Sequence, residues 1–526
     1  MALSRINNPS LIPKGTSLIG ITAFGSGALN GLTTGTYNTA IGYQAAYSTT
    51  TASNNVAIGF EASYYLTTNS FTTTIGYRAG KTATSGYVTA VGYNAASAAT
   101  SGFSTLCAIG VNALAGNTTG VDNTAIGGYN ALVSNTTGSQ NTAVGRESLN
   151  SNTTASNNTA VGFQAGYTNS TGTNNAFLGV QAGYYNTTGG SNIGFGYQAL
   201  LNTSTGSYNV AIGQLALQTN TTASNNTAVG HTAMYLNTSG TNNVALGFQA
   251  GYYNTTGQQN IAIGAYTYAG TTGSNNTAVG QGAMSSGTCT GSNNIALGLN
   301  TLNSNTSGSD NTALGVYALY SCTTSGPNTA VGRDAGYSVT TGAQSYGNVF
   351  VGYQSGRNTT TGGDNTCVGG KAGLGITTGN GNHCFGASAG YTSPFGLIDL
   401  TTQSDRIVIG NNNSTNAYVK VAWTVTSDAR DKTNIADIPH GLDFVQQLKP
   451  KQYQFKKSRE DDTPHGNLRY GFLAQDVLAL EGDTPVVIDN EQPDHLKYQG
   501  ESLVPILVKA IQELKAEFDA YKATHP

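Results

Sequence analysis

Ser427 and Lys432 stand five residues apart in Ser427-Asp428-Ala429-Arg430-Asp431-Lys432-Thr433-Asn434-Ile435, a charged segment after a long stretch with almost no charge. A serine hydroxyl is a poor nucleophile until a base takes its proton. A partly desolvated lysine has its pKa lowered and can be that base. The chemistry of such a dyad is acyl transfer: the hydroxyl oxygen attacks a carbonyl carbon and a peptide bond breaks. Both residues are common, so the spacing alone specifies little. Its weight depends on the elements around it.

Those elements form ordered blocks. Upstream lie Ile407-Val408-Ile409-Gly410 and strand-like residues around Tyr418–Val425, with the single tryptophan, Trp423. Downstream come Leu448-Lys449-Pro450 with Tyr453, Phe455 and Lys456, then Gly471-Phe472-Leu473-Ala474-Gln475-Asp476-Val477. Leu496-Lys497-Tyr498 and a helix from about Glu501 to Lys522 close the chain. Together with the Ser427–Ile435 segment these blocks resemble the self-cleaving intramolecular chaperone at the C-terminus of phage endosialidases, tail spikes and tail fibres, which has a relative in the myelin regulatory factor family. The likeness covers residues 426–526, with Asp476 where glutamate is more usual. It implies an autoproteolytic serine peptidase that acts once, on itself, without separate substrate turnover. The scissile bond would lie between Thr426 and Ser427, with Ser427 as nucleophile and Lys432 as general base. Asp428, Arg430 and Asn434 would position the loop. The sequence leaves open an ester route by N→O acyl shift, and also a retained fold that has lost cleavage.

The terminal helix argues for oligomers without any family. Leu503, Leu507, Ala510, Leu514 and Tyr521 follow spacings of 4, 3, 4 and 7, which read as a coiled-coil seam, with Lys515 and Asp519 paired on the outer face. Three strands are what the resemblance implies; the heptads fit two or three.

Ahead of this tail the chain repeats Asn-Thr-Ala-(Val/Ile/Leu)-Gly about every 17 residues. The closing glycine recurs 21 times, from Gly42 to Gly386, at spacings of 16 to 20. A fixed short period means one coil stacked many times. Within Asn158–Ala165 the residues alternate as in a strand, and Thr-Thr-Gly-Ser-Asn supplies turn chemistry. Stacked ~4.8 Å apart, 21 coils would extend about 100 Å. The motif's Val, Ile or Leu with its Ala neighbours reads as a thin core, too small for one coil to stand alone. The units resemble the head repeats of trimeric autotransporter adhesins, which are parallel β-rolls in a trimer. Over roughly residues 36–390 that likeness implies an adhesive, elongated trimer.

Composition divides the chain at the same place. Residues 1–419 carry 9 Lys/Arg and 8 Asp/Glu, against 13 and 17 in residues 420–526. A net charge of −3 leaves no basic footprint for nucleic acid. No apolar run reaches the length of a membrane span, so no membrane insertion is expected. The opening Met1–Ser10 lacks the apolar core of a secretion signal, which points to release by lysis.

Other residues on the shaft invite chemistry less strongly. Aromatic rings follow the motif glycine (Tyr43, Phe60, Tyr77, Tyr93, Phe163, Tyr197, Phe248, Tyr353), and Tyr-Tyr pairs occur at 64–65, 184–185 and 252–253. They could contact sugar, but filling space between coils or chains is the favoured reading. A threonine ladder through Thr159 and Thr227 suits β-stacking better than ice binding, because Val or Ile often takes its slot. Of five cysteines, Cys367 and Cys384 share the slot two before the glycine one coil apart; small buried replacements for alanine are favoured over a bridge. His383 lacks partners at zinc spacing. Asn-x-Ser/Thr triplets such as Asn117-Thr118-Thr119 follow from repeat composition. No cofactor or metal is expected.

The expected fold is an all-β, homotrimeric parallel β-solenoid or β-roll followed by a small α+β chaperone unit ending in a long coiled-coil helix. Its divisions would be an N-terminal attachment segment at 1–35, the shaft at 36–392, a junction at 393–426 and the autopeptidase unit at 427–526. The expected function is a phage tail fibre or spike, made in the host cytoplasm and carried on the virion. It would join another virion protein through its N-terminus and bind a host-surface receptor, with a glycan as one candidate. A purely structural shaft and a cell-surface trimeric adhesin are the alternatives.

Overall fold

The structure is a computed structural model. It describes residues 19–84, 87–100, 105–341, 347–391, 398, 400–411, 413–414, 417–420, 427–456, 461–491, 493–494 and 496–525. Residues 1–18, Trp423 and Thr426, on which several of the expectations above fall, lie outside this set.

The repeat is a parallel β-solenoid. Among the described residues its 23 strands, most of them three residues long, form one sheet in which each strand pairs with the next in sequence. The register is that of the motif: Thr159 faces Ala176, Ala160 faces Phe177 and Val161 faces Leu178. Of the 21 motif glycines, 19 follow the last residue of a strand, and Gly110 and Gly127 lie within the longer strands Thr105–Val111 and Asn123–Tyr129. Among the described residues one further strand stands at each end, Thr22–Phe24 and Ile407–Ile409. The stack thus begins ahead of residue 36 and runs past residue 392.

Glycine at the motif's end is dictated by stacking. Gly162 has φ +137°, and a Cβ there would lie 2.5 Å from the carbonyl oxygen of Gly179 in the next coil. Two to four residues on, ordinary side chains are held at positive φ, for example Gln164 (+55°) and Leu149 (+46°). The neighbouring coils over-determine these strained residues: the Gln164 N–H donates to Arg146 O at 3.0 Å and the Leu149 N–H to Ala165 O at 3.0 Å.

The core differs from the expectation. Ala160 and Ala211 are fully buried, whereas Leu178, Ile212 and Leu246 are 40–47% exposed. The motif's Val, Ile or Leu therefore faces outward, because the space between the walls of the coil admits only alanine opposite a second inward residue. That second residue comes four after the glycine, as in Leu200, Leu217, Met234 and Leu302. Size is matched across the pair. Where Phe177 or Phe350 replaces the alanine, the partner slots hold glycine: Gly166 and Gly183 flank Phe177, and Gly336 and Gly356 flank Phe350.

Two columns of buried asparagines run beside this core. Asn192 Oδ1 accepts the backbone N–H of Asn209 at 3.0 Å and its Nδ2 at 3.1 Å, and Asn209 Nδ2 also donates to Ala223 O at 2.9 Å. In the second column Asn186 Nδ2 donates to Asn169 Oδ1 at 2.7 Å and to Gly189 O at 2.9 Å. Each amide nitrogen in these examples is desolvated and still donates, which ties coil to coil through a buried polar ladder, although Asn186 Oδ1 accepts no bond from the described residues.

Aromatic rings stack from coil to coil. Tyr43, Phe60, Tyr77 and Tyr93 make a ladder with centroids 5.2, 5.2 and 5.0 Å apart. Cys367 and Cys384 are Cα partners in register, both buried and both free thiols.

The C-terminal unit is small. Helices α1 (Leu442–Gln447), α2 (Ala474–Glu481) and α3 (Leu503–Thr524) surround a core of Phe444, Val477, Val487, Ile488, Leu503 and Ile506. An antiparallel hairpin, Lys451–Lys456 with Pro464–Gly471, stands beside it. The buried Glu481 carboxylate accepts the N–H groups of Val486, Val487 and Ile488 at 2.6 to 2.9 Å and so closes the loop after α2. Among the described residues no helix is long and apolar enough to cross a membrane.

Candidate self-cleavage site

The dyad is assembled by a turn. Asp428 accepts the N–H of Arg430 at 2.9 Å, capping a single 3-10 turn over Ala429–Asp431. The Arg430 guanidinium returns to the same carboxylate, with Nη2 2.6 Å from Oδ2 and Nε 3.1 Å from both oxygens. These bonds hold the Asp428 carboxyl below the usual carboxylate range, the side-chain bond from Arg430 first and its backbone N–H second. The turn reverses the chain and brings Lys432 back over Ser427. Lys432 Nζ lies 2.7 Å from Ser427 Oγ and 3.2 Å from Ser427 O. Asn434 follows with φ +54°, a left-handed residue of the type asparagine tolerates.

The geometry brings together Ser427 and Lys432, with Asp428 and Arg430 forming the turn between them. Asn434 touches neither member of the dyad in the contacts seen. Every residue from Ser427 to Asp437 is exposed. Among the described residues no group of three or more His, Cys, Asp or Glu is placed to hold a metal.

The loop leads into a unit pinned by α3. Glu513 accepts the Leu442 N–H at the start of α1 at 2.6 Å, and Lys509 Nζ donates to Ile438 O at 2.6 Å. These two contacts were not foreseen, since nothing local marks a residue that caps another helix 71 positions away.

The helix seam also needs correction. Leu503 and Ile506 are buried in the unit's own core and Ala510 is buried within the same chain, so Leu503 and Ala510 do not belong to an intermolecular stripe. The apolar residues that face outward are Val504, Leu507, Ile511, Leu514, Phe518 and Tyr521, at spacings of 3, 4, 3, 4 and 3. A helix with two apolar faces offers two readings, and only its packing selects between them. Lys515 and Asp519 pair as expected.

A long solenoid that runs into a compact unit opening on a Ser/Lys turn defines a class: a repetitive shaft with a small C-terminal domain. Residues 427–484 match the family model described as chaperone of endosialidase (Peptidase S74). The chain thus carries a chaperone-of-endosialidase domain behind a β-solenoid, an arrangement that fits a tail spike. The match begins at Ser427 and ends before α3. No curated protein and no solved structure matches the chain.

Proposed function

We propose that the chain is the shaft of a trimeric phage tail fibre or spike that attaches to a host surface, assembled by its C-terminal unit, which then cuts itself off between Thr426 and Ser427. The observation that carries this reading is the 2.7 Å approach of Lys432 Nζ to Ser427 Oγ at the first residue of the matched domain. Ser427 Oγ attacks the carbonyl carbon of Thr426, its proton passes to the Lys432 amine, and the C–N bond breaks with that proton delivered to the departing Ser427 nitrogen. Thr426 is then held as an ester on Ser427 Oγ. A water attacks that ester carbon, the C–O bond breaks, Ser427 Oγ regains a proton, and Thr426 is freed as the new C-terminal carboxylate.

Three apolar surfaces support the trimer. The outward Val, Ile and Leu of the strands form a stripe along the solenoid, α3 presents its heptad seam, and the hairpin exposes Phe455, Leu468 and Tyr470. Surfaces this extended are what copies of a chain cover. The dyad needs the same covering. Lysine serves as a base when desolvated, and in one chain the whole segment is open to water. Cleavage therefore follows assembly.

The order has a use. Near-identical coils can pair out of step, and a C-terminal trimer sets one register. Removing that template then leaves a shaft that cannot retrace its assembly, so its stability is kinetic. The test is intact mass beside Lys432→Ala: a break after Thr426 in the parent, absent from the variant, is expected. A full-length parent would overturn the peptidase assignment. Co-expressed tagged and untagged Ser427→Ala chains should give mixed, uncut trimers, and recovery of monomers alone would sink the chaperone role.

A further inference from the structure

Three tyrosine triads recur at one coil position. Tyr47 stacks on Tyr64, Tyr167 on Tyr184 and Tyr235 on Tyr252, with centroids 5.1, 5.0 and 5.2 Å apart and planes 5° from parallel. The next residue in each case, Tyr65, Tyr185 or Tyr253, stands edge-on to its neighbour at 4.6, 4.6 and 4.8 Å. These third rings are 45–50% exposed. Among the described residues, no hydroxyl of the nine has a hydrogen-bond partner within the chain.

Stacking between coils does not require the third ring. Tyr320 and Tyr337 stack in the same way, 5.1 Å apart at 7°, while the slot after each holds Ser321 or Ser338. Elsewhere that slot is also short, as in Ser48, Thr82, Thr168 and Thr219. The same slot in the coils on either side holds Ser48 and Thr82 beside Tyr65, Thr168 and Asn202 beside Tyr185, and Leu236 and Gly270 beside Tyr253, so each third ring rises above smaller neighbours. They lie six residues past the glycine, beyond the corner that separates them from the outward strand stripe. The Tyr43–Tyr93 ladder, by contrast, follows that stripe within two residues in each coil and goes with the surface that copies of the chain cover.

We propose that Tyr65, Tyr185 and Tyr253, backed by their stacked pairs, are three sites for neutral hexose rings of a cell-surface glycan. The inference rests on the attachment reading above and names its ligand class. An exposed aromatic face offers apolar area to the C–H face of a pyranose, and the phenol hydroxyl is free to meet its hydroxyls. Neutrality follows from charge. At the first triad Lys81 is held by Glu61 at 2.7 Å, and Glu61 also takes Arg78. Near the second, Arg146 lies 3.6 Å from Glu147. At the third triad, burial and the phenols of Tyr235 and Tyr253 are what raise the Tyr252 hydroxyl. An acidic sugar would find no free cation and would leave its carboxylate unpaired on docking. The triads are spaced ~34 Å and ~19 Å along the rod, so weak single sites combine on one polymer by effective concentration.

The full chain would be applied to immobilised mannan, dextran and galactan, and to polysialic acid as the acidic control. Retention on at least one neutral polymer and none on polysialic acid is expected. A Tyr65→Ser/Tyr185→Ser/Tyr253→Ser variant, which places in each slot the residue other coils already carry, should lose at least about tenfold of that binding. Light scattering and circular dichroism should be unchanged. Preference for polysialic acid, failure to hold any neutral polymer, or full binding by the serine variant would overturn the proposal. Bacterial cells before and after periodate, which cleaves vicinal diols, separate the two readings. Periodate-insensitive binding removes the sugar sites and leaves attachment standing. Binding to no cell of the panel removes both.

Discussion

Arg406, one residue before the last solenoid strand, donates from Nη2 to both carboxylate oxygens of Glu491 in the C-terminal unit, 2.7 and 3.0 Å across 85 residues of chain. The proposed scissile bond lies between them. Once that bond is cut, only non-covalent contacts of this kind connect shaft and released unit. An exposed pair contributes less than about 1 kcal/mol and is screened by salt. Glu491→Ala should therefore speed departure of the cut unit severalfold at low ionic strength. The difference should vanish near molar salt, as read by gel filtration after cleavage. Equal release at every salt concentration would mean the pair does not hold the fragments.

The dyad makes a second prediction. Removal of the base should slow self-cleavage by about 10²–10⁴-fold, so Lys432→Ala remains full length over hours by intact mass, as does Ser427→Ala. Hydroxylamine should release the fragments of the parent faster if the acyl group passes through an ester on Ser427 Oγ. Lack of acceleration would exclude an accumulating ester.

The turn around the dyad should respond to acid with a definite sign. Arg430 holds the Asp428 carboxyl below its ordinary value. A depressed folded pKa gives stability that is present above the unfolded value of about 3.9 and lost as pH falls through the folded one. The loop should keep its conformation from pH 7 to 5 and open only below about pH 4. Carboxyl NMR of Asp428 in Lys432→Ala checks this, and a midpoint at or above the ordinary aspartate range would contradict it.

Within the solenoid, size matching should appear as coupling. Phe350→Ala leaves a cavity costing about 3–5 kcal/mol, and Gly356→Leu alone overpacks against Phe350 by about 1–3 kcal/mol. Together they restore the Ala/Leu pairing that Ala313 and Leu319 already make. The double variant should be far more stable than the sum of the single costs allows. Additive losses in thermal unfolding would show that the pairing is incidental.

The thiols should be silent in the folded chain. Burial pushes Cys289 up to about 11 and Cys322 up to about 12. The hydrogen bond with Cys384, followed by burial, raises Cys367. Iodoacetamide at pH 8 should leave these three unmodified until the shaft unfolds, since the thiolate is the reactive form. Rapid native labelling of Cys322 would show that the coil opens locally.

The sequence made the coil count and register legible because stacking demands glycine at one slot and asparagine at another, and both are conspicuous. It misplaced the core for a physical reason. In a three-residue strand such as Val210–Ile212 both faces are apolar, and hydrophobicity favours the larger residues for the interior. The interior is too narrow for them, so Ala211 goes in and Ile212 out. The same ambiguity misassigned Leu503 and Ala510 to the helix seam. Ser427 and Lys432 could be named from their neighbours. Their contact could not, since it depends on a carboxylate capping a turn two residues ahead.

Most coils offer the next an asparagine amide, a backbone carbonyl and a three-residue edge at the same places. Removing or adding a whole coil would preserve the shared ladder, provided the break spares coil-specific sets such as Gly166, Phe177 and Gly183 or the Glu61–Arg78 pair. Length is thus a quantised trait. Misaligned recombination between near-identical coding repeats can change it in steps of ~4.8 Å, and such a rod can be retuned in reach without a single substitution.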